Sequence, residues 1–515
     1  MKKLLAALLL ASAMPAVAQE TYENAKIAAE DLNGTARYVA MGGAMEALGA
    51  DISTMATNPA GIGMFRRSNV SVSFGAVSQG DAPDVLGAKK TYMSFDQAGF
   101  VISTNTSGAK QSFINVGFNY HKSRNFDFIL SAADRLDNAS QNKLTYAKAK
   151  NGLLYEVGTD FIPHFDRPYA SCNQLDDMYA QGLNYDPTDQ TWYYDNATSY
   201  TLGRKHTGYV GEYDFNISGN INNRVYLGLT VGYHDVHYKH YGEYYENLSD
   251  YDMLISDERR ITGSGADVKF GVIVRPIDYS PFRFGLSVST PTFYKLTTES
   301  YTRMTDGSVT KNLGESYEFK LYTPWKFGLS LGHTIGTKVA LGASYEYADY
   351  GSMGTRYITD SYYDSWYDTY SYRTESDEVM NRHTENTLKG VSTFKVGGEL
   401  KVTPELALRL GYNYVSPMYN EDGFKDGTLD SDGSYYSSAT DFTNWKATNR
   451  FTAGVGLNID KLNLSAAYQY SSTSGEFMPF MNYYDQTDPA DDNIANVVKV
   501  NNKRHQFLFT IGYTF

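Results

Sequence analysis

The residues with the clearest potential for metal chemistry are a histidine series and an acidic turn. His234, His237 and His240 recur at every third position of one segment. Because successive side chains of a strand point to opposite faces, His234 and His240 share a face and His237 lies on the other, which argues against a three-histidine metal site. Residues 430–433, Asp-Ser-Asp-Gly, resemble the start of a calcium loop without its distal glutamate. We therefore expect no metal ion and no other cofactor.

Other catalytic patterns are equally weak. Gly42 and Gly43 lack the spacing and the preceding strand of a phosphate-binding loop. No serine occupies the strand-turn-helix setting of a hydrolase nucleophile. A membrane phospholipase would require a serine and a histidine side by side on a lipid-facing surface, and the alternation of side chains does not offer such a pair. The chain is therefore predicted not to be an enzyme.

Composition narrows the class of protein. The net charge of −13 argues against nucleic-acid binding, which needs a basic face, and is compatible with acidic outer loops. Cys172 is the only cysteine, so an intramolecular disulfide is excluded. Tyrosine is abundant, with 45 residues of 515, and aromatic residues reach 15%. This composition suits the girdle of a membrane interface, where a ring lies in lipid and its hydroxyl lies in water.

The amino-terminal residues predict export. Two lysines precede a short apolar run, Leu4 to Leu10, and an exit of small residues follows. This is the pattern of a secretory signal peptide, 1–18, with cleavage after Ala18. The rest of the sequence holds no apolar run of about eighteen residues or more. A barrel strand needs only about ten residues, half of them facing a polar lumen, so it escapes such a search.

Strand-like alternation dominates the remainder of the sequence. It is clear in 225–233 and in 405–415, where Arg409 must point away from lipid, because an arginine at mid-membrane depth costs roughly 2–4 kcal/mol. We mark fourteen such segments from about residue 68 to the end. The final segment carries an apolar face made of Phe507, Phe509, Ile511, Tyr513 and Phe515.

The connections between these segments alternate in length. Six short turns alternate with seven long polar connections, which gives an even strand number with both chain ends on one side. This is the topology of a bacterial outer-membrane protein. We therefore predict an all-β fold, a transmembrane antiparallel β-barrel of about 14 strands in residues 68–515. The long connections include 122–206, 241–261, 351–389, 417–448 and 474–503.

Three regions need a separate interpretation. Residues 314–336 are interpreted as one strand bent at Pro324, and splitting them would raise the count to fifteen. The connection 122–206 is too long to be structureless and is expected to hold helix or a small cap. Residues 19–67 do not fit the strand pattern. Since a large barrel leaves an aqueous lumen unless something fills it, they are predicted to form an N-terminal hatch that plugs the lumen.

The region before the first strand resembles the hatch of the FadL-like family of outer-membrane transporters for hydrophobic compounds. The likeness lies in 36–44, 50–54 and 58–62, and the last of these contains an Asn-Pro-Ala-Gly motif just before strand one, as in that family. The long loops are the divergent parts. Later stretches are similar too: 322–329, 345–350, 397–400 and 408–412.

The resemblance implies candidate residues in the hatch. Asn58, Pro59, Ala60 and Gly61 would take part in ligand binding or gating, although the same motif is also a tight turn that anchors a hatch to the wall. The sequence departs from the family at 55–57, Met-Ala-Thr, where aromatic residues often precede the Asn-Pro. That departure leaves the ligand open.

The resemblance also implies a route. Ligand would be captured from outside, pass beside the hatch and leave sideways through a gap at a kinked third strand, with no energy source. The third strand should lie near 112–120, where Asn115, Gly117 and Asn119 face inward, and Gly117 is the candidate bend.

The predicted function is passive uptake of hydrophobic small molecules, either long-chain fatty acids or aromatic hydrocarbons, with lateral release into the outer membrane of a Gram-negative bacterium. The chain is expected to be a monomer whose partners are this ligand and outer-membrane lipid. An alternative is a barrel that only anchors loops binding haem or a surface partner, with a histidine and loop tyrosines capturing the haem. A third alternative is an open hydrophilic porin.

Overall fold

A computed structural model describes most of the chain. The predicted signal peptide, 1–18, lies outside the described residues. The described residues are 20–106, 112–154, 172–180, 184–186, 188–307, 310–364, 369–437 and 439–515.

Strands make up most of the described structure. The described helices are too short or too polar to cross a membrane. The helices are α1 (Thr21–Ala28), α2 (Ala36–Ala40), α3 (Gln141–Lys150), α4 (Gln174–Tyr179), α5 (Glu378–Thr387) and α6 (Asp432–Tyr435), with 3-10 helical turns at Ile52–Ala56, Pro59–Met64, Tyr350–Ser352 and Pro489–Asp491. The strands are β1 (Asn69–Ser78), β2 (Thr91–Asn105), β3 (Phe113–Asn125), β4 (Phe128–Ala139), β5 (Tyr185–Asp186), β6 (Thr191–Trp192), β7 (Ala197–Ile221), β8 (Val225–Leu248), β9 (Asp252–Val274), β10 (Arg283–Ser289), β11 (Phe293–Thr305), β12 (Thr310–Tyr322), β13 (Lys326–Ile335), β14 (Val339–Asp349), β15 (Gly354–Asp364), β16 (Thr369–Ser376), β17 (Gly390–Lys401), β18 (Leu406–Val415), β19 (Phe442–Ile459), β20 (Leu462–Met478) and β21 (Val498–Thr514).

The strands form a closed antiparallel barrel. Apart from the short pair β5 and β6, they belong to one 19-stranded sheet. The sheet closes because β1 pairs with β21, from Asn69 opposite Thr514 to Ser78 opposite His505. Five crossings are made of two pieces each, namely β3–β4, β10–β11, β12–β13, β14–β15 and β16–β17. The barrel therefore has 14 crossings, as the alternating connection lengths predicted.

The eighth crossing is interrupted at a proline. β12 ends at Tyr322 and β13 begins at Lys326, so Pro324 lies in the gap. The neighbouring crossing is interrupted opposite, at residues 290–292, and Thr292 N donates to Thr323 Oγ1 at 2.8 Å across the two gaps. Proline has no N–H to donate to a ladder, which explains the break. The strand predicted at 314–336 is thus two strands within one crossing, and the crossing number is unchanged.

The outer surface carries an apolar belt. On β8, the outward side chains of Leu227, Leu229 and Val231 are 39–49% exposed, and the alternate residues are buried. The predicted apolar face of the last strand is also outward, with Phe507 and Phe509 about half exposed. Burying such a face requires lipid, so the barrel is built to span a membrane, and closed barrels of this type occur in the Gram-negative outer membrane.

The strands extend well beyond this belt on one side. β8 runs to Leu248 and β9 begins at Asp252, so the long loop predicted at 241–261 is wrong and a tight hairpin takes its place. Strands likewise enter the predicted loops 122–206, 351–389, 417–448 and 474–503. The prediction failed because outward residues above the belt, such as Asp235 and His237, are polar. Without lipid on one face, the apolar alternation disappears although the ladder continues.

A helical cap covers the extended end of the barrel, as the length of the 122–206 connection led us to expect. Helices α3 and α4 pack with strand residues in one apolar cluster that includes Leu144, Tyr179 and Phe477. Glu246, on β8 above the belt, is fully buried beneath α3. One carboxylate oxygen accepts from Gln141 N and from Tyr244 Oη, both at 2.7 Å.

Residues 20–64, called here the N-terminal segment, lie against the inward side chains of the wall. Helix α2 packs on Ala467 of β20 and Leu508 of β21. The turn Pro59–Met64 packs on the opposite wall, against Tyr226 of β8 and Ile273 of β9. The segment thus spans the barrel from side to side.

Candidate ligand cavity

A cavity lies inside the barrel, between the N-terminal segment and the extended ends of the strands. Its volume is about 310 Å³. The floor comes from α1 and the residues after it, and the walls come from β3, β4, β7, β14 and β17–β21. A pocket of this size is at the lower end of those that hold small organic molecules.

Cationic side chains concentrate at one place in the cavity wall. Asp31 of the N-terminal segment accepts a hydrogen bond from Arg124 at 3.0 Å. The guanidinium groups of Arg450 and Arg504 lie 3.7 and 3.6 Å from the same carboxylate. Three guanidinium groups therefore share one carboxylate, so positive charge is in excess at this place in the wall, although acidic and basic side chains are equally numerous in the cavity lining as a whole.

Aromatic side chains line the same cavity. Phe128 of β4 meets Trp445 of β19 edge to face, with ring centroids 5.5 Å apart. Tyr22 of α1 stacks on Tyr419 at 5.1 Å and lies 5.3 Å from Phe442. These rings offer apolar area with few conformational states to lose on binding. The cavity is thus amphipathic, with guanidinium groups and aromatic rings facing one space.

Ion pairs join the N-terminal segment to the wall beneath the cavity. Lys395 of β17 donates to Glu46 at 2.9 Å. Glu399, on the same strand, accepts from Arg37 of α2 at 3.0 Å and from Arg409 of β18 at 2.7 Å. The side chain of Arg37 is 31% exposed, and the other groups are buried. Removing one partner of a buried pair would leave the other charge unpaired at a cost of about 3–5 kcal/mol.

The predicted motif at 58–61 forms the turn against the wall. Asn58 is fully buried, its side-chain oxygen accepts from Ala60 N at 3.1 Å, and its amide donates to Leu286 O at 3.3 Å. Gly61 O accepts from Ala50 N at 3.0 Å, tying the turn to the rest of the segment. These contacts describe an anchor. A role of these residues in ligand passage or gating stays a prediction.

Glycines in the wall make room for this turn. A Cβ atom at Gly228 would lie 2.3 Å from the carbonyl carbon of Pro59. A Cβ atom at Gly271 would lie 2.1 Å from Asn58 Oδ1. Backbone can approach the strands this closely only where they have no side chain.

The predicted third-strand residues contact the same segment. Asn115 Nδ2 donates to Ile62 O at 2.7 Å, and a Cβ atom at Gly117 would lie 2.3 Å from Met55 Cε. Asn119 accepts from a β2 glutamine instead. The pairing of β3 continues through Gly117, and its register shift falls at residues 122–124. A bend at Gly117 therefore stays a prediction.

The histidines occupy the faces expected from their spacing. His234 and His240 are 2% and 3% exposed on the inner face of β8, whereas the side chain of His237 is 45% exposed on the outer face. His240 is hydrogen-bonded to Asp257 and to a buried tyrosine hydroxyl. His237 is paired with Asp235 at 2.8 Å.

The sequence did not predict the cavity residues. Arg124 and Trp445 fell within predicted loops, although both lie on long strands. Arg450 lies on the same inward face of its strand as Thr452, and Arg504 lies on the same inward face as Thr510. A charged residue on the polar face of a strand was therefore the only sequence feature that could have indicated these two residues. The contact of these two arginines with Asp31 depends on closure of the barrel, so their spacing in the sequence could not predict it.

Comparison with known proteins gives distant structural likeness. No family model matches the sequence, and neither does any curated protein. Among solved structures, a Pseudomonas aeruginosa FadL homologue is 12% identical, with 94% of this chain and 99% of that chain covered and a TM-score of 0.49. The Ralstonia pickettii toluene transporter TbuX is 11% identical, covering 94% and 99%, with a TM-score of 0.46. The P. putida toluene transporter TodX is 11% identical, covering 94% and 99%, with a TM-score of 0.45.

Proposed function

We propose that this chain is a FadL-like outer-membrane channel for passive uptake of amphipathic small molecules. The observation that carries this proposal is the cavity of about 310 Å³ within the barrel, whose lining includes arginines and aromatic rings. In this proposal the barrel, 68–515, is the channel wall, and the N-terminal hatch, 19–67, is the plug that ligand must pass.

The cavity favours a long-chain fatty acid over a neutral aromatic hydrocarbon. Arg124, Arg450 and Arg504 outnumber the single carboxylate of Asp31, and a fatty-acid carboxylate would supply the missing charge. The rings of Phe128 and Trp445 would contact the acyl chain. A neutral aromatic molecule would use the rings but leave the guanidinium groups uncompensated.

Lateral release is proposed at the outer part of the β2–β3 boundary. The ladder between β2 and β3 runs from Gln97 opposite His121 to Asn105 opposite Phe113. Residues 91–96 of β2 therefore lie outside this ladder. A small cavity of about 20 Å³ at the same place is lined by Asp31 and Asp96, among others. Stepping into lipid spares an acyl chain about 0.8 kcal/mol for each CH₂ that would otherwise meet water.

An uptake assay tests the proposed function. Cells lacking their own fatty-acid channel would be given radiolabelled oleate, with and without this protein. We expect saturable uptake only with the protein, and deletion of 19–67 should make the channel leaky or abolish its saturation. Equal uptake in both cultures, together with a large steady current from the purified protein in planar bilayers, would favour an open porin and contradict the proposal.

A further inference from the structure

A second buried cluster lies in the wall, apart from the arginines. Inward side chains of four adjacent strands, β3, β7, β8 and β9, meet there, and each is at most 7% exposed. The cluster consists of His121, Glu212, Asp214, His234, Asp267 and Lys269.

The charges within this cluster do not balance. The ammonium of Lys269 contacts Glu212 Oε1, lies 3.0 Å from Asp214 Oδ1 and lies 3.3 Å from Asp267 Oδ1. Three carboxylates thus share one ammonium. Charged groups buried in protein are normally paired or bound to a metal ion, so the remaining negative charge calls for a further cation.

The oxygens that Lys269 leaves free converge on one histidine. Glu212 Oε2 lies 3.6 Å from His121 Nε2, and Asp214 Oδ2 lies 3.7 Å from His121 Nδ1. Asp214 Oδ2 is buried and has no hydrogen-bond partner among the described residues. One ligand atom from each of these three residues can be chosen so that all lie within 4.8 Å of one another.

The two distances end on opposite ring nitrogens of His121, and one ion would bind only one of these nitrogens. The 3.6 Å between Glu212 Oε2 and His121 Nε2 exceeds a normal N–H···O distance, which lies near 2.7–3.2 Å. Metal–ligand distances of about 2.0–2.2 Å place two ligands of a tetrahedral ion about 3.3–3.6 Å apart. A nitrogen with two carboxylate oxygens is a donor set that Zn²⁺ and related divalent transition ions accept.

We propose that His121, Glu212 and Asp214 form a binding site for one divalent transition ion of the Zn²⁺ type. Lys269 holds the other oxygens of the two carboxylates and fixes their orientation. His234, whose Nδ1 is unpartnered among the described residues and lies 3.8 Å from Glu212 Oε2, is the next nitrogen within reach. His121 and Glu212 also line the large cavity, which supplies the route for the ion. This site differs from the sequence-based expectation of no metal.

Zinc titration of the purified full-length protein tests the proposal. After chelator treatment, isothermal titration with Zn²⁺ in the presence of excess Mg²⁺ should give one site per chain. His121→Ala and the isosteric Asp214→Asn should each weaken binding at least tenfold. His237→Ala is the matched control, since it removes an exposed histidine of the outer face, and it should leave binding unchanged.

Three outcomes would overturn the site. They are no Zn²⁺ binding by the wild-type chain, unchanged binding in both site variants, and loss of binding in His237→Ala. Heat-modifiable migration in gels checks that each variant is folded. If His121→Ala does not fold, Asp214→Asn alone decides, and a Zn²⁺-dependent rise in melting temperature that persists in that variant would refute the proposal. The outcome does not depend on whether the protein carries fatty acids.

Discussion

Two adjacent glycines of β17 allow the fit between the N-terminal segment and the wall to be tested. At Gly397, which faces inward, a Cβ atom would lie 2.2 Å from Met41 O and 2.8 Å from its carbonyl carbon. At Gly398, which faces outward, the nearest atom would be Leu341 Cδ2 at 3.4 Å, an ordinary contact. Gly397→Ala therefore forces backbone apart, and Gly398→Ala does not.

The expected magnitude follows from the overlap. An ordinary carbon–oxygen contact is near 3.2 Å, so the segment must shift by about 1 Å or the strand must bend. Overpacking of this kind costs about 1–3 kcal/mol. If this cost destabilises only the state in which the N-terminal segment is packed in the barrel, the ratio of packed to displaced segments drops roughly 5- to 150-fold, because about 1.4 kcal/mol is a factor of ten.

Single-channel recording in planar bilayers measures this displacement. We expect rare openings for the wild type and for Gly398→Ala, and frequent openings for Gly397→Ala. Gly398→Ala controls for the change of glycine to alanine within a strand, since both positions lie in the same ladder. If Gly397→Ala folds and is as closed as Gly398→Ala, the N-terminal segment does not plug the barrel in the way described.

Three further predictions concern charge. Arg450→Gln should weaken binding of a long-chain fatty acid about ten- to a hundredfold in a fluorescence displacement assay, because a charged hydrogen bond is worth about 1.5–3 kcal/mol, and should leave binding of a neutral aromatic probe unchanged. Lys395→Met should strand the buried carboxylate of Glu46 at a cost of about 3–5 kcal/mol and expose the N-terminal segment to trypsin. Burial raises the pKa of Glu246 from its ordinary 4.5 to about 7, despite the hydrogen bonds that favour the ionised form. The folded state therefore holds the proton more tightly, so stability should fall by about 3 kcal/mol as pH rises from about 4.5 to 7, and thermal melts of Glu246→Gln should lack this slope.

Each of these predictions has an opposing outcome. Equal loss of both ligands in Arg450→Gln would indicate general damage to the cavity. Lys401→Met, at an exposed position of β17, is the control for Lys395→Met. Equal trypsin sensitivity in the two variants would show that the ion pair between Lys395 and Glu46 does not hold the N-terminal segment in place. If the pH dependence of thermal stability is unchanged in Glu246→Gln, a group other than Glu246 causes it.

The barrel was predictable where lipid imposes a pattern. Residues 225–233 and the final strand alternate because one face meets lipid, and this alternation led to the correct number of crossings. Above the belt both faces of β8 are polar, as at Asp235, so its extension to Leu248 left no periodic signal. The limit is therefore physical, since hydrophobic periodicity ends where the bilayer ends.

The candidate site was less predictable than the fold. The motif around Asn58 was recognised because its turn chemistry is local. The cavity depends on Asp31 meeting arginines far away in the chain, and only the closed barrel brings them together. The same holds for His121, whose carboxylate neighbours lie on another strand.

Native mass spectrometry of the protein extracted from outer membranes would show whether the cavity holds a fatty acid. We expect one bound fatty-acid anion in the wild-type chain and its loss when Arg450 and Arg504 are both replaced by glutamine. A wild-type chain that carries no acyl ligand and binds no added oleate would contradict the proposed function.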